Sequence, residues 1–178
     1  MPYFLEENTF HSRFWLRSRD RLRAVFEESV EGFIMRWRGY ANRATLYSHI
    51  EGSPLLECGI NGHILNVFER TNPYTSRSGD IEVIVNPLTE CVTKPSEPHK
   101  QLEPTGISQM HACGLVLFRS ENTVVIDAGF PLVVSVFADL PDDAAAGDWL
   151  EFTSLAPIHG FILTRTSRRT SQVGDDDI

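Results

Sequence analysis

At 178 residues the chain has room for one domain with a full core or for two small lobes. Its 42% hydrophobic and 22% charged residues exclude the disordered class, and its formal net charge of −8 opposes polyanion binding. No apolar run approaches the roughly 18 to 20 residues of a membrane span.

The N-terminus, MPYFLEENTF, has acids where a signal peptide needs a basic region followed by an apolar one. Cys58, Cys91 and Cys113 are odd in number and widely spaced, which suits reduced thiols better than a disulfide framework. The expected address is therefore the cytosol. Charge is uneven along the chain: residues 1 to 50 hold 8 arginines against 6 acids, residues 51 to 150 hold 5 bases against 14 acids, and the remainder 3 against 4. Lys94 and Lys100 are the only lysines. Arginine dominance suits bidentate recognition of carboxylate or phosphate, and it equally follows from genomic base composition.

From Phe10 to Arg17 a strand would place Arg13, Trp15 and Arg17 on one face and Phe14 and Leu16 on the other. Leu22, Val25, Phe26, Val30, Phe33, Ile34 and Trp37 then recur at spacings of three and four, the stripe of an amphipathic helix. Asp20 is the N-cap candidate and Gly39 a stop. Gly32 interrupts the stripe, so the helix is expected over about 20 to 31, with 33 to 38 open between helix and strand. ATLYSHI (44 to 50) is strand-like. LLECGINGHILNVF (55 to 68) is a hairpin turning at Asn61-Gly62, because a type I′ turn needs positive φ at both central residues. DIEVIVN (80 to 86) alternates as a strand. Pro87, Pro95, Pro98 and Pro104 mark a connector.

Five strand candidates follow at close spacing: 113 to 119, 122 to 127, 131 to 137, 148 to 154 and 159 to 164, with a break of ADLPDDAAAG that has room for a helical turn. Three strands, a connector and two more strands resemble the order of a five-stranded OB-type barrel. Along Pro131 to Phe137 both parities are largely apolar, Leu132, Val134 and Val136 on one face and Val133, Ser135 and Phe137 on the other. Such a strand is covered on both sides. The barrel interior would bury one face, and the N-terminal half or a partner must bury the other. The expected fold is β-rich α+β, with antiparallel strands, one helix and a C-terminal five-stranded OB-like or small-barrel lobe. Its expected parts are an N-terminal strand, helix and hairpin lobe (1–86), a Pro-rich connector (87–111), the barrel-like lobe (112–165) and a polar tail (166–178).

Four groups of residues carry candidate chemistry. Arg13, Trp15 and Arg17 combine charge for phosphates with a ring for base stacking, as a single-stranded nucleic acid site requires. The alternative is a solvated face, or an ion-pair partner for residues 112 to 164, where Arg119 is the one base against seven acids. Cys58 and His63 project from one face of the hairpin, and His111 and Cys113 from one face of a strand. Together they have the donor types of a tetrahedral zinc site, in no standard zinc spacing. Cys113 with His111 or His159 and an acid such as Asp127 would be the residues of a hydrolytic site, without a supporting motif. Trp149 and Glu151 lie on one face of a strand in an acidic region, either as interface residues or as the surface against which the N-terminal lobe packs.

The reading that follows is a non-catalytic cytosolic protein-binding module, an adaptor, inhibitor or assembly subunit, with no cofactor. Its acidic β-rich surface would meet a protein partner or a second copy through Trp149, Glu151, Arg13, Trp15 and Arg17. The alternatives are a single-stranded nucleic-acid-binding OB-like protein and a metal-dependent hydrolase.

Overall fold

The computed structural model describes residues 29–71, 76–138 and 140–163. The expected strand from Phe10 with Arg13, Trp15 and Arg17, the helix from 20 to 28 and the polar tail lie outside the described residues. The helix described, α1 (Val30–Trp37), begins only at the end of the expected span, because Ser29 is extended, and the helix runs on through Gly32, so the open segment after Gly32 is helical. Ser29 caps it, its Oγ accepting the Gly32 N–H at 3.0 Å. Phe33 and Trp37, four apart, form its buried face. A short 3₁₀ turn, Arg38–Tyr40, leads into the sheet.

Ten strands follow among the described residues: β1 (Asn42–Leu46), β2 (Leu55–Ile60), β3 (His63–Glu69), β4 (Gly79–Thr89), β5 (Gln101–Gly106), β6 (Gln109–Ser120), β7 (Thr123–Asp127), β8 (Pro131–Val136), β9 (Trp149–Thr153) and β10 (Leu155–Leu163). The β2–β3 hairpin turns with φ of 46° at Asn61 and 83° at Gly62, and its register sets Cys58 opposite Leu65 and Ile60 opposite His63.

The fold is β-rich α+β with a closed five-stranded small barrel, in the ring order β1-β2-β3-β10-β4 and back to β1. Four of its strands come from residues 42 to 89, and β10 closes it by pairing parallel to β3 and antiparallel to β4. The strands β6, β7, β8 and β9 extend the sheet outward from β4, so the C-terminal run contributes one strand to the ring. Strand periodicity gives the face of each strand but not its neighbour, which is why the sequence suggests a ring within one stretch. Glycine at 160 permits the closure: an added Cβ there would stand 2.8 Å from Val67 Cγ2.

β4 is the shared spine, pairing with β1, β10 and β8 along its eleven residues. Pro87 falls within it at the bulge where β10 shifts register between Leu155 and His159, a place that tolerates a missing N–H. Buried Asn86 donates through Nδ2 to Val133 O at 2.6 Å and Ser135 Oγ at 3.0 Å, tying β4 to β8. The residues read as a connector hold β5, which pairs with β6 alone and ends the sheet path. Pro104 sits in that edge strand, where a ladder bond is not needed.

Two buried clusters sandwich the sheet. One runs without a break from the barrel interior (Leu46, Leu56, Val67) to Leu132, Val134, Leu150 and Phe152. The other lies on the opposite face, where Phe33 and Trp37 of α1 cover Ile84, Val125, Val133 and Phe161. The doubly apolar β8 is explained by this second cover: Leu132, Val134 and Val136 face the first cluster and Val133 the second. Phe33 stacks on Phe161 with ring centroids 4.2 Å apart.

His159 supplies a pH-dependent element to this core. Burial, followed by the nearby Arg70 charge, pushes its imidazole down from 6.5 to about 4. The unfolded chain therefore binds a proton that the fold does not over that interval. Stability is full above pH 6.5 and falls as pH drops toward 4, by on the order of 3 kcal/mol. Urea midpoints at pH 7, 5.5 and 4.5 measure the slope, and His159→Gln flattens it. An unchanged slope in that variant would assign the acid sensitivity to other groups.

Candidate functional site

β9 lies along one edge of β6, with Thr153 opposite His111, Glu151 opposite Cys113 and Trp149 opposite Leu115. Directly opposed residues share a face. That ladder therefore sets His111, Thr153 and Glu151 on the face away from Phe152, which is buried in the core. The chain leaving β4 crosses the outer edge of β9 and pairs with it backbone to backbone at one bridge, where Thr93 N donates to Glu151 O at 3.0 Å and Glu151 N to Thr93 O at 2.8 Å. A groove of about 510 Å³ opens between this crossing segment, with Thr89, Glu90, Cys91 and Thr93, and the strand side, with Gln109, His111, Glu151 and Thr153.

Hydrogen bonds fix the walls of the groove. Thr89 Oγ1 lies 2.8 Å from Thr153 O and 3.0 Å from Cys91 O, holding the crossing segment to the end of β9. Gln109 Nε2 donates to Ser154 O at 3.0 Å, and His111 Nδ1 lies 3.2 Å from Thr153 Oγ1. Thr93 Oγ1 donates to Glu151 Oε1 at 3.4 Å. No Lys or Arg among the described residues pairs with Glu90 or Glu151. The two lysines are engaged elsewhere, Lys94 with Asp143 and Lys100 with Asp127, each at 2.5 Å. Arg119 reaches under the 138–147 break, its Nη1 donating to Pro141 O at 2.7 Å and Ala144 O at 3.0 Å.

Of the residues expected at an interface, Glu151 lines the groove, while Trp149 stands half-buried two residues along the same face of β9. Arg13, Trp15 and Arg17 lie outside the described residues. The four zinc candidates separate. Cys58 is fully buried in the barrel, and burial, then the charges of Glu69 and Glu57, pushes its thiol up to about 12. A thiol held protonated is a poor metal ligand. His63 is half-buried beside Phe130, ring centroids 5.9 Å apart. Cys113 is 1% exposed on β6, whereas His111 opens into the groove. Among the described residues no three His, Cys, Asp or Glu side chains gather where they could hold a metal ion. The hydrolytic set is scattered as well. Asp127 pairs with Lys100 and accepts Gly129 N–H at 3.0 Å, and His159 is buried against Phe68.

Nothing in the sequence marks Glu90, Cys91 and Thr93, because their composition signals a loop and the bridge that makes them a wall joins positions 58 apart. Comparison of the chain with protein-family models, with curated proteins and with solved structures finds no match.

Proposed function

We propose that this protein is a non-catalytic protein-binding module of the cytosol, docking a partner on its acidic β-rich surface through the groove beside β9. The observation that carries the reading is the pair Glu90 and Glu151: two carboxylates in one groove that no base among the described residues neutralises. Carboxylates so placed favour a partner of complementary charge and speed its encounter. The free thiols Cys58, Cys91 and Cys113 support a reducing compartment. No helix among the described residues is long and apolar enough to cross a membrane.

The test is affinity capture from the native host, with quantitative comparison of the native protein and a Glu90→Gln, Glu151→Gln double variant. A protein retained by the first and lost from the second supports the reading. Identical retained sets from both overturn it.

A second reading, single-stranded nucleic acid binding, draws on a different surface. Arg43, Tyr47 and Ile64 on β1, the chain just after it and β3 are exposed, Tyr47 at 40% and Ile64 at 54%. Oligonucleotide affinity that falls steeply with salt and with Tyr47→Ala would favour it. No binding at low salt removes it.

A further inference from the structure

We propose that the groove selects an extended, basic segment of a partner protein, seating a lysine or arginine side chain between Glu90 and Glu151. The inference rests on the docking reading above and assigns the chemistry of what docks.

Charge complementarity is the first argument. The groove presents two carboxylates, with the hydroxyls of Thr89, Thr93 and Thr153 beside them, and no Lys or Arg among the described residues lines it. An ammonium or guanidinium group is the donor-only complement of such an acceptor-rich wall. Nearby Lys94 does not fill that role, since its Nζ is held by Asp143. The burial of Glu151 adds weight. Its residue is half-buried, and its Oε1 receives one long bond from Thr93 Oγ1, so the carboxylate has acceptor capacity to spare.

Shape is the second argument. The groove runs beside β9, between the strand wall and the crossing segment that meets the outer edge of β9 at the Thr93–Glu151 bridge and at Thr153 O. A chain in β conformation presents alternate side chains to one side, so a segment alternating basic and polar residues can point a cation into the groove. A helix would need a wide apolar trough, and of the large apolar residues lining this groove Phe152 is 3% exposed and Leu155 only partly exposed.

Cys91 gives a direct reporter. It lines the groove and is exposed, whereas Cys58 and Cys113 are 0% and 1% exposed, so a chromogenic disulfide reagent should titrate one thiol per folded chain. The probe is an acetylated and amidated octapeptide alternating lysine and threonine, with a glutamate and threonine octapeptide as control. The lysine peptide is expected to slow the Cys91 reaction about threefold or more and the control to leave it unchanged. The Glu90→Gln, Glu151→Gln variant should bind the lysine peptide about tenfold more weakly, as should the native protein in 0.5 M salt.

Equal protection by the acidic peptide, or undiminished lysine-peptide binding by the double variant, would overturn the proposal. So would Cys91 protection that rises with protein concentration without peptide, since the occupant would then be a second copy. A partner captured in a Glu90- and Glu151-dependent way, combined with no lysine-peptide binding, would leave the docking reading standing and remove this one.

Discussion

Gly114→Ala is expected to cost about 3 to 5 kcal/mol, a large share of the roughly 5 to 15 kcal/mol that holds a domain folded. At Gly114 the long strand β6 changes partners: residues up to Cys113 pair with β5 and those from Leu115 with β7. The end of β7 therefore presses directly on the glycine. An added Cβ would lie 2.6 Å from the Asp127 carbonyl carbon and 2.7 Å from Ile126 Cγ2, and closer still to the Asp127 oxygen. The main obstacle is backbone, which cannot rotate away, and Asp127 is further pinned by Lys100 and by the Gly129 N–H. Gly114 has no positive φ, so alanine suits the backbone and the penalty is purely steric.

Two other glycines calibrate the expectation. At Gly160 the Cβ would meet the Val67 side chain at 2.8 Å, and that neighbour can shift within the core, so about 1 to 2 kcal/mol is expected. At Gly59 it would meet the Tyr47 hydroxyl at 2.7 Å, the far end of an exposed and movable side chain, and the change should be near neutral. Urea midpoints of the three variants should fall in that order. A Gly114→Ala protein as stable as the Gly59→Ala protein would show that β6 and β7 do not meet as described.

What was legible beforehand follows the range of the interactions concerned. The Asn61-Gly62 turn imposes its register locally, so the pairing of Cys58 with Leu65 was readable from a few residues. The two apolar faces of β8 were readable for the same reason, since alternation is a property of one strand. The identity of the barrel strands was not, because β3 and β10 pair at positions about ninety residues apart and periodicity carries no partner information. β5 was hidden by its own composition: Pro104, Thr105 and Gly106 read as a loop, and only an edge position admits them to a sheet. The groove combines both difficulties, since Glu90, Cys91 and Thr93 look like linker and acquire a role only when β9 is laid beside them.

Trp37→Ala should be the second most damaging change, at about 3 to 5 kcal/mol. Trp37 is 2% exposed and stands at the centre of the cluster that roofs the sheet, with ring centroids 6.4 Å from Phe33, 6.3 Å from Tyr40 and 6.0 Å from Phe118. Its loss leaves a cavity over Val125 and Val133 that the rigid strands cannot close. Phe118, already 45% exposed, would lose its edge-on partner, and the enlarged apolar patch should promote association. Met35, on the same helix but 76% exposed, provides the control: Met35→Ala should change stability by under about 0.5 kcal/mol. Urea unfolding followed by tryptophan fluorescence and by far-ultraviolet dichroism separates two outcomes. A common shift of both transitions means that α1 and the sheet unfold as one cooperative unit, as a shared core requires. A small early transition with an unchanged main midpoint would mean that α1 lifts off alone, and that β8 keeps its second face covered by something other than Trp37.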